Sequence, residues 1–336
     1  YILSEGEHKV IDSFDEIDAI GHRIVQGGDR YTKSVLVTEK VVKDVEELAP
    51  LAPLHNPAHL MGYRACLKVV GPDVPQVFVF DTSFHSTMPP KAYMYAVPYE
   101  YYEKYAVRRY GFHGTSHKFV SHRVADKMGK DIKDLKIITC HLGNGSSIAA
   151  VDHGKVIDTS MGFTPLDGII MGTRSGSVDP SAVEFVQNKL GFTPAQMSDY
   201  LNKKSGFLGL SGQFSDNRDI TSAAQQGDKR SQLVTDMLTY EIKKYIGSYT
   251  AAMNGLDVVI FTGGIGENAP EVRKGVCENM EYLGIKLDSS VNDGLKGKLT
   301  KISAPDSKVE VWVIPTNEEL LIARDTLEIT GLDKNA

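Results

Sequence analysis

The chain has 336 residues, of which 41% are hydrophobic and 24% are charged, and its formal net charge is −6. This composition is typical of a globular protein large enough for two domains. An acidic balance with only short basic clusters argues against nucleic acid or an anionic membrane surface as a partner, and no apolar run is long enough to cross a bilayer. The three cysteines are scattered and include no Cys-x-x-Cys pair, so a reducing cytoplasm is the simplest prediction and a structural zinc site is not expected.

The first third of the chain predicts strands alternating with helices. Strands are expected at residues 17–25, 33–38 and 76–80, and helices at 39–48 and 57–70. Asn56, which precedes Pro57, is expected to cap the second helix. Residues 82–112 are rich in Pro, Tyr and His, which is typical of a crossing or hinge segment.

The remainder continues the alternation. Thr115 or Ser116 is expected to cap a helix that ends near Met128. Strands follow at 136–140, 147–151, 155–159, 256–262 and 309–314, and helices at 180–190, 194–203, 228–254, from Pro270, and at 317–329. This pattern predicts the α/β fold class.

A polar turn, His141 to Ser147, lies between two of these strands. Its Asn144-Gly145 pair is a strong hairpin signal. Unhindered backbone N–H groups, hydroxyls and an imidazole make the turn a candidate phosphate site. A strand follows it, so it is neither a P-loop nor a dinucleotide-binding loop.

Four further positions could carry chemistry. Arg23 leaves a buried strand before a glycine pair, and Asp81 ends another strand, where a carboxylate is a candidate metal ligand, base or turn cap. His113 lies between Phe112 and Gly114, where there is room for a substrate. Arg174 is framed by small residues, which suits bidentate binding of a carboxylate or phosphate. A surface or structural role is the ordinary alternative for each.

A glycine-rich turn at residues 262–268 follows a strand and is expected to precede a helix that starts at Pro270. Its spacing is not that of a dinucleotide fingerprint, so alone it is a weak nucleotide signal.

Together these segments resemble the acetate and propionate kinase family along nearly the whole chain, in the order GHRIVQGG, PLHNPAHL, FDTSFHSTMP, RRYGFHGTSH, HLGNGSS, MGFTPLDG, MGTRSGSVDP, FTGGIGEN and IPTNEEL. The resemblance implies two ribonuclease-H-like domains of the actin-like ATPase superfold with an interdomain cleft. It places the domains at residues 1–83 with 319–336 and at residues 84–318.

The resemblance also implies reversible phosphoryl transfer from ATP to acetate, giving ADP and acetyl phosphate, with Mg²⁺. The implied catalytic residues are Arg23, Asp81, His113 and Arg174, and the implied metal residue is Glu318. Substrate contacts are implied for Arg23, Val25, Leu54, His55, Phe112 and Pro165. Nucleotide and phosphate contacts are implied for His141, Asn144, Gly145, Asp216, Arg218, Gly264, Ile265, Gly266 and Asn268.

The implied enzyme is a cytoplasmic homodimer that binds neither nucleic acid nor membrane. Propionate or butyrate kinase is an alternative, as is a nucleotide-binding fragment without turnover, and a dehydrogenase is more remote. The chain departs from the family pattern at Gln26, where histidine is usual, and at Phe214 and Asn217. Nothing in residues 1–18 matches the family's first phosphate turn, so the N-terminal domain is expected to be incomplete, without its first strands.

Overall fold

The computed structural model describes residues 9–53 and 55–332, and the chain divides into two compact units. Unit 1 comprises Tyr1–Ser86 and Asn317–Ala336, and unit 2 comprises Thr87–Thr316. The ribonuclease-H-like domains at 1–83 with 319–336 and at 84–318 stay a prediction.

The strands within the described residues form two sheets. They are β1 (Ile20–Ile24), β2 (Val35–Leu36), β3 (Gln76–Phe80), β4 (Lys136–Leu142), β5 (Ser146–Asp152), β6 (Lys155–Thr159), β7 (Val258–Thr262), β8 (Thr300–Lys301) and β9 (Glu310–Val313).

The helices vary from one turn to seven. They are α1 (Glu39–Glu47), α2 (Asn56–Val70), α3 (Pro90–Tyr93), α4 (Glu100–Tyr105), α5 (Gly114–Met128), α6 (Pro180–Leu190), α7 (Pro194–Lys203), α8 (Gly206–Ser211), α9 (Asn217–Gln225), α10 (Lys229–Met253), α11 (Gly263–Asn268), α12 (Pro270–Cys277), α13 (Ser289–Asn292) and α14 (Glu318–Thr330).

Unit 1 contains a three-stranded sheet in the order β1-β3-β2, with β1 parallel and β2 antiparallel to β3. All five residues of β3 are buried, as expected of a strand covered on both faces. Phe78 and Phe80 pack with Ile24, Val45 and Leu60 in the core of this unit. The parallel pairing places the carboxyl ends of β1 and β3 side by side.

Unit 2 contains a six-stranded sheet in the order β6-β5-β4-β7-β9-β8. The central strand β4 is antiparallel to β5 and parallel to β7. Helix α10 presents Val234, Leu238, Ile242 and Ile246, all buried and spaced by four residues, to the core of this unit. Because β4 and β7 are parallel neighbours, their carboxyl ends lie side by side.

Three local predictions were wrong. Asn56 is the first residue of α2, and its side chain bonds to the Gln26 backbone instead of capping the helix. His113, in a left-handed conformation, precedes α5, so neither Thr115 nor Ser116 is the cap. Residues 263–268 form the short helix α11 because Gly263, with a φ of 76°, lets the chain turn immediately after β7.

Candidate active site

In unit 1, Arg23 and Asp81 form a two-bond ion pair at the carboxyl ends of β1 and β3. Arg23 Nε donates to Asp81 Oδ1 at 2.9 Å, and Nη2 donates to Oδ2 at 2.6 Å. The Asp81 side chain is 1% exposed, whereas that of Arg23 is 42% exposed. The nearby Asp81 carboxylate, with a smaller contribution from Glu318, raises the pKa of Arg23. Arg23 is therefore a cation held in a fixed orientation, and the Asp81 carboxylate largely compensates its charge.

Asp81 and Glu318 are the carboxylates of unit 1 that act on Arg23. Glu318 is the first residue of α14, and Asn317 caps that helix through a bond from Leu320 N–H to its side chain. Among residues 9–53 and 55–332 no group of three His, Cys, Asp or Glu side chains could hold a metal by itself. Mg²⁺ commonly takes one or two protein carboxylates together with water and substrate phosphates. Two carboxylates fit that kind of site.

The loop after β1 is held by buried polar groups. Gln26 exchanges backbone bonds with the Asn56 side chain, and the Gly28 N–H donates to Gln26 Oε1 at 2.8 Å. A β-carbon on Gly27 would lie 2.8 Å from the ring of Phe80, so this position requires glycine. The atypical Gln26 thus supports the backbone that follows Arg23.

The predicted acetate contacts of unit 1 lie near this loop. Val25 is buried, and its N–H donates to Nδ1 of His59 at 3.4 Å. Burial lowers the pKa of His59, and the Arg23 charge lowers it further. His55 immediately precedes α2, with its ring centroid 6.4 Å from that of His59. Leu54 lies outside the described residues.

In unit 2, the predicted phosphate turn is a tight hairpin. His141 pairs with Ser147 and Leu142 with Ser146, so the loop itself is only residues 143–145. Ser146 Oγ closes it by accepting from Gly143 N–H at 3.2 Å and donating to Gly143 O at 3.0 Å. The hairpin prediction is confirmed, but His141 and Ser147 belong to the strands.

His113 is held in a sparsely populated backbone conformation. Its φ is 55°, and it connects the buried Phe112 to α5. Its ring stacks on that of His141, with centroids 4.3 Å apart and planes at 24°, and Nδ1 of His141 is 2.7 Å from Ser116 Oγ. A left-handed residue that is not glycine costs about 1–3 kcal/mol, and such strain is characteristic of functional positions.

His113 and Arg174 meet beside Gly145. A β-carbon placed on Gly145 would lie 3.3 Å from Arg174 Nη1 and 3.3 Å from His113 Nε2. Arg174 Nη1 also donates to the Pro165 carbonyl at 3.2 Å. No salt bridge from Arg174 to a carboxylate occurs within the described ranges, and burial lowers its pKa. This arrangement suits an anion that brings its own negative charge.

The predicted nucleotide residues occupy two surfaces of unit 2. Asp216 caps α9, and its carboxylate pairs with the exposed Arg218 through bonds of 3.0 and 2.7 Å. In α11, Gly264 and Asn268 are exposed and joined by a bond from Asn268 Nδ2 to Gly264 O.

The other two predicted residues of α11 are less accessible. Ile265 is half-buried against the core, and Gly266 is buried, with its carbonyl accepting a bond from Arg273. Of the predicted residues in α11, Gly264 and Asn268 are therefore the ones that face solvent.

Two residues that support α11 by hydrogen bonds were not predicted from the sequence. Glu267 Oε1 accepts bonds from the N–H groups of Gly263 and Thr316 at 2.8 and 3.1 Å. Arg273 is fully buried, and burial lowers its pKa to about 10. Its position on the apolar face of α12, four residues from both Ala269 and Cys277, was the available signal.

The space that Arg174 and His113 share beside a tight hairpin, together with a glycine-rich start to a helix, suits a phosphotransferase of the kinase class. The model of the Acetokinase family matches residues 2–324, and the chain belongs to this family. It is a kinase that transfers phosphate to a carboxylate, so the dehydrogenase alternative was wrong.

The similar proteins extend over nearly the whole chain. An acetate kinase of Thermotoga maritima is 59% identical over 95% of this chain and 80% of its own length. The crystal structure of the Porphyromonas gingivalis acetate kinase is 51% identical, with a TM-score of 0.94 over 98% of this chain and 82% of that one. A propionate kinase structure from Francisella tularensis is 43% identical, with a TM-score of 0.90 over the same shares.

These matches support the two-domain actin-like ATPase fold that was predicted. The prediction that the N-terminal domain is incomplete is not borne out. It rested on residues 1–18, of which residues 1–8 lie outside the described residues. Within residues 9–53 and 55–332, no helix is long and apolar enough to span a membrane.

Proposed function

We propose that Arg174 and His113 stabilise the phosphoryl group that this kinase transfers between ATP and the carboxylate of acetate, giving ADP and acetyl phosphate. The observation that carries this proposal is the convergence of Arg174 Nη1 and His113 Nε2 on the space beside Gly145. A transferring phosphoryl group spreads negative charge over its equatorial oxygens, so catalysis is mainly positioning and charge stabilisation.

Arg23 and Asp81 act on the acceptor side. The Arg23 guanidinium is held by Asp81 and is 42% exposed, so it can bind a carboxylate while its orientation stays fixed. Acetate at neutral pH has no proton to remove. Asp81 therefore orients Arg23 and does not act as a base.

Mg²⁺ would be held by the carboxylates of Asp81 and Glu318 together with water. When bound it would neutralise charge on the β- and γ-phosphates. Both carboxylates raise the pKa of Arg23, so both lie within electrostatic range of its guanidinium.

The nucleotide would be bound by unit 2. His141, Asn144 and Gly145 contact the phosphates, and the adenosine contacts are Asp216, Arg218, Gly264, Ile265 and Asn268. Gly266 belongs to the same nucleotide site. The exposure of Gly264 and Asn268 and the mutual pairing of Asp216 with Arg218 support this assignment.

The residues that the resemblance assigns to the methyl group of acetate are Val25, Leu54, Phe112 and Pro165, and His55 is assigned to the same substrate; these assignments remain part of the proposal. One additional methylene changes discrimination by only about 1–3 kcal/mol. Propionate is therefore expected to be a poorer substrate, and the similarity to a propionate kinase keeps that acid as the second candidate. The enzyme is further proposed to act as a homodimer in the cytoplasm.

Acetyl hydroxamate formation from acetate, ATP and hydroxylamine tests the function directly. The wild-type protein should form the product with Mg²⁺, and His113→Ala should lower kcat about 100-fold with little change in the KM for ATP. His122→Ala is the control, because His122 is exposed on the same helix and bonds only to the Lys118 carbonyl among the bonds described. Binding of ATP without acetyl phosphate formation would instead support a nucleotide-binding fragment, and a higher kcat/KM for propionate would favour a propionate kinase.

A further inference from the structure

We propose that Thr139, His117 and Ser147 form a hydrogen-bonded chain that fixes the tautomer of His113 and keeps its proton on Nε2. This inference rests on the proposed function, in which His113 Nε2 faces the phosphoryl group. The three residues do not touch substrate in this proposal; they are positioning residues for His113.

The chain is continuous and short. Thr139 Oγ1 is 2.6 Å from His117 Nδ1, His117 Nε2 is 2.7 Å from Ser147 Oγ, and Ser147 Oγ is 2.8 Å from His113 Nδ1. Thr139, His117 and Ser147 are all 0% exposed. Bulk water therefore does not compete for these bonds, and each group depends on its neighbours in the chain.

The secondary structure explains how the chain forms. Thr139 and His141 lie two residues apart on β4, and their register partners on β5 are Ala149 and Ser147, so these side chains share one face of the sheet. His113 and His117 are four residues apart, where α5 begins, and lie on one side of that helix. The helix presents its two imidazoles to the two hydroxyls of the sheet.

The direction in which the Ser147 hydroxyl donates determines which imidazole nitrogens carry a proton. The hydroxyl has one hydrogen and two imidazole neighbours, so it donates to one ring and accepts from the other. If it donates to His117, the proton of neutral His113 is on Nδ1 and Nε2 is only an acceptor. If it donates to His113, the proton of His113 is on Nε2.

One observation, together with the proposed function of a neutral His113, favours donation to His113. Thr139 Oγ1 is 2.6 Å from His117 Nδ1 but 3.5 Å from the Ala149 carbonyl oxygen. The Thr139 hydroxyl therefore donates its proton to His117 Nδ1, because the carbonyl is too far away to accept a good hydrogen bond. Arg174 Nη1 lies as close as His113 Nε2 to the space beside Gly145, so a second positive charge on His113 would be repelled there. A neutral imidazole can stabilise a phosphoryl oxygen only if Nε2 carries the hydrogen.

The resulting sequence of bonds runs in one direction. Thr139 O–H donates to His117 Nδ1, His117 Nε2–H donates to Ser147 Oγ, and Ser147 O–H donates to His113 Nδ1. His113 Nε2–H is then directed to the transferred group. Removing the Thr139 hydroxyl removes the donor that starts this sequence, without altering His113 or the residues around Gly145.

The test compares Thr139→Val with Thr139→Ser. The valine variant keeps the shape but not the hydroxyl, so kcat should fall about 10- to 100-fold, as for supporting bonds in other sites, with the KM for acetate and ATP within about twofold. The serine variant should retain most of kcat. Thr159→Val is the matched control, because Thr159 is a buried strand residue of the same sheet whose hydroxyl bonds only the Ile148 carbonyl among the bonds described.

The tautomer itself is measured by ¹⁵N NMR of histidine-labelled protein, with His113 assigned by its loss in His113→Gln. Wild-type His113 should show a protonated Nε2 and an unprotonated Nδ1, and Thr139→Val should shift it toward protonation on Nδ1. Three results would each overturn the proposal that the hydrogen-bonded chain fixes the tautomer of His113. They are a wild-type signal with the proton on Nδ1, an unchanged kcat in Thr139→Val, and equal losses of kcat in the serine and valine variants. Unchanged activity in His113→Ala would overturn the proposed function instead, while the NMR signal would still decide the tautomer.

Discussion

The two arginines predicted for the active site lie in contrasting surroundings. Arg23, in unit 1, makes two bonds to the buried carboxylate of Asp81. Arg174, in unit 2, donates to the neutral carbonyl of Pro165, and burial lowers its pKa. The same residue type thus occurs once as half of an ion pair and once as a cation that lacks a carboxylate among its described bonds.

This difference separates two roles. A guanidinium that already has a carboxylate gains less from a second anion, but its orientation is fixed. A partly buried guanidinium bonded to neutral groups gains most when an anion arrives, because its charge is then compensated. Arg174 should therefore supply most of the phosphoryl binding energy, and Arg23 should supply geometry.

The largest effect is expected from Arg174→Ala. Loss of the uncompensated cation should lower kcat/KM about 1,000-fold, since one electrostatic donor to a transition state contributes about that factor. Arg174→Lys should restore little, because a point charge cannot reproduce the planar fork. Steady-state formation of acetyl hydroxamate measures both variants, and a larger loss in Arg23→Ala than in Arg174→Ala would reverse the comparison.

The next effect is expected from Asp81→Asn. The amide cannot accept both guanidinium bonds, so Arg23 should lose its fixed orientation and kcat/KM for acetate should fall about 100-fold. Glu47→Gln is the control, because it weakens the exposed pair with Arg30 in the same unit and should leave the kinetic constants unchanged. Wild-type kinetics in Asp81→Asn would show that the pair does not position Arg23.

Acid should lower the stability of unit 1, which contains Asp81, through protonation of the nearby His85. This side chain is fully buried just after Asp81, and burial lowers its pKa to about 4. Because the folded pKa is below the unfolded value, its contribution to stability is complete above about pH 6.5 and is lost as the pH falls toward 4. Between pH 7 and pH 5 the loss should be about 2 kcal/mol.

Urea unfolding at several pH values measures this loss, and His85→Gln should flatten the pH dependence. Hydrogen exchange at pH 5 should rise first in β1 and β3 of unit 1. Equal acceleration in β4 and β7 of unit 2 would contradict the assignment to His85.

The smallest kinetic effect is expected from Gly145→Ala. The added β-carbon would lie 3.3 Å from both Arg174 Nη1 and His113 Nε2, so these groups must move by a few tenths of an ångström. We expect kcat to fall about tenfold, since small misplacements of catalytic groups are costly. Gly62→Ala, in α2 with open space around it, is the control, and identical kinetics in the two variants would show that the space beside Gly145 is not used.

Strong sequence patterns were sufficient to predict the local structure. The continuous apolar run of β3 and the four-residue spacing in α10 both fixed their elements, because a buried strand and an amphipathic helix each need a particular side-chain period. The resemblance carried by several ordered motifs also indicated the family, which the comparisons confirmed. The site residues named from that resemblance stay predictions.

Which side chains meet depends on how the sheets and helices pack. The cap of α5 was misplaced because His113 adopts a left-handed conformation that no local propensity favours, and the surrounding fold holds it there. The convergence of Arg174 and His113 on Gly145, and the chain from Thr139 to His113, join segments separated by up to 61 and 34 residues in the sequence. Periodicity along a chain reports which face a residue occupies, whereas hydrogen bonding and charge compensation depend on distances that exist only after the sheet and helices have packed.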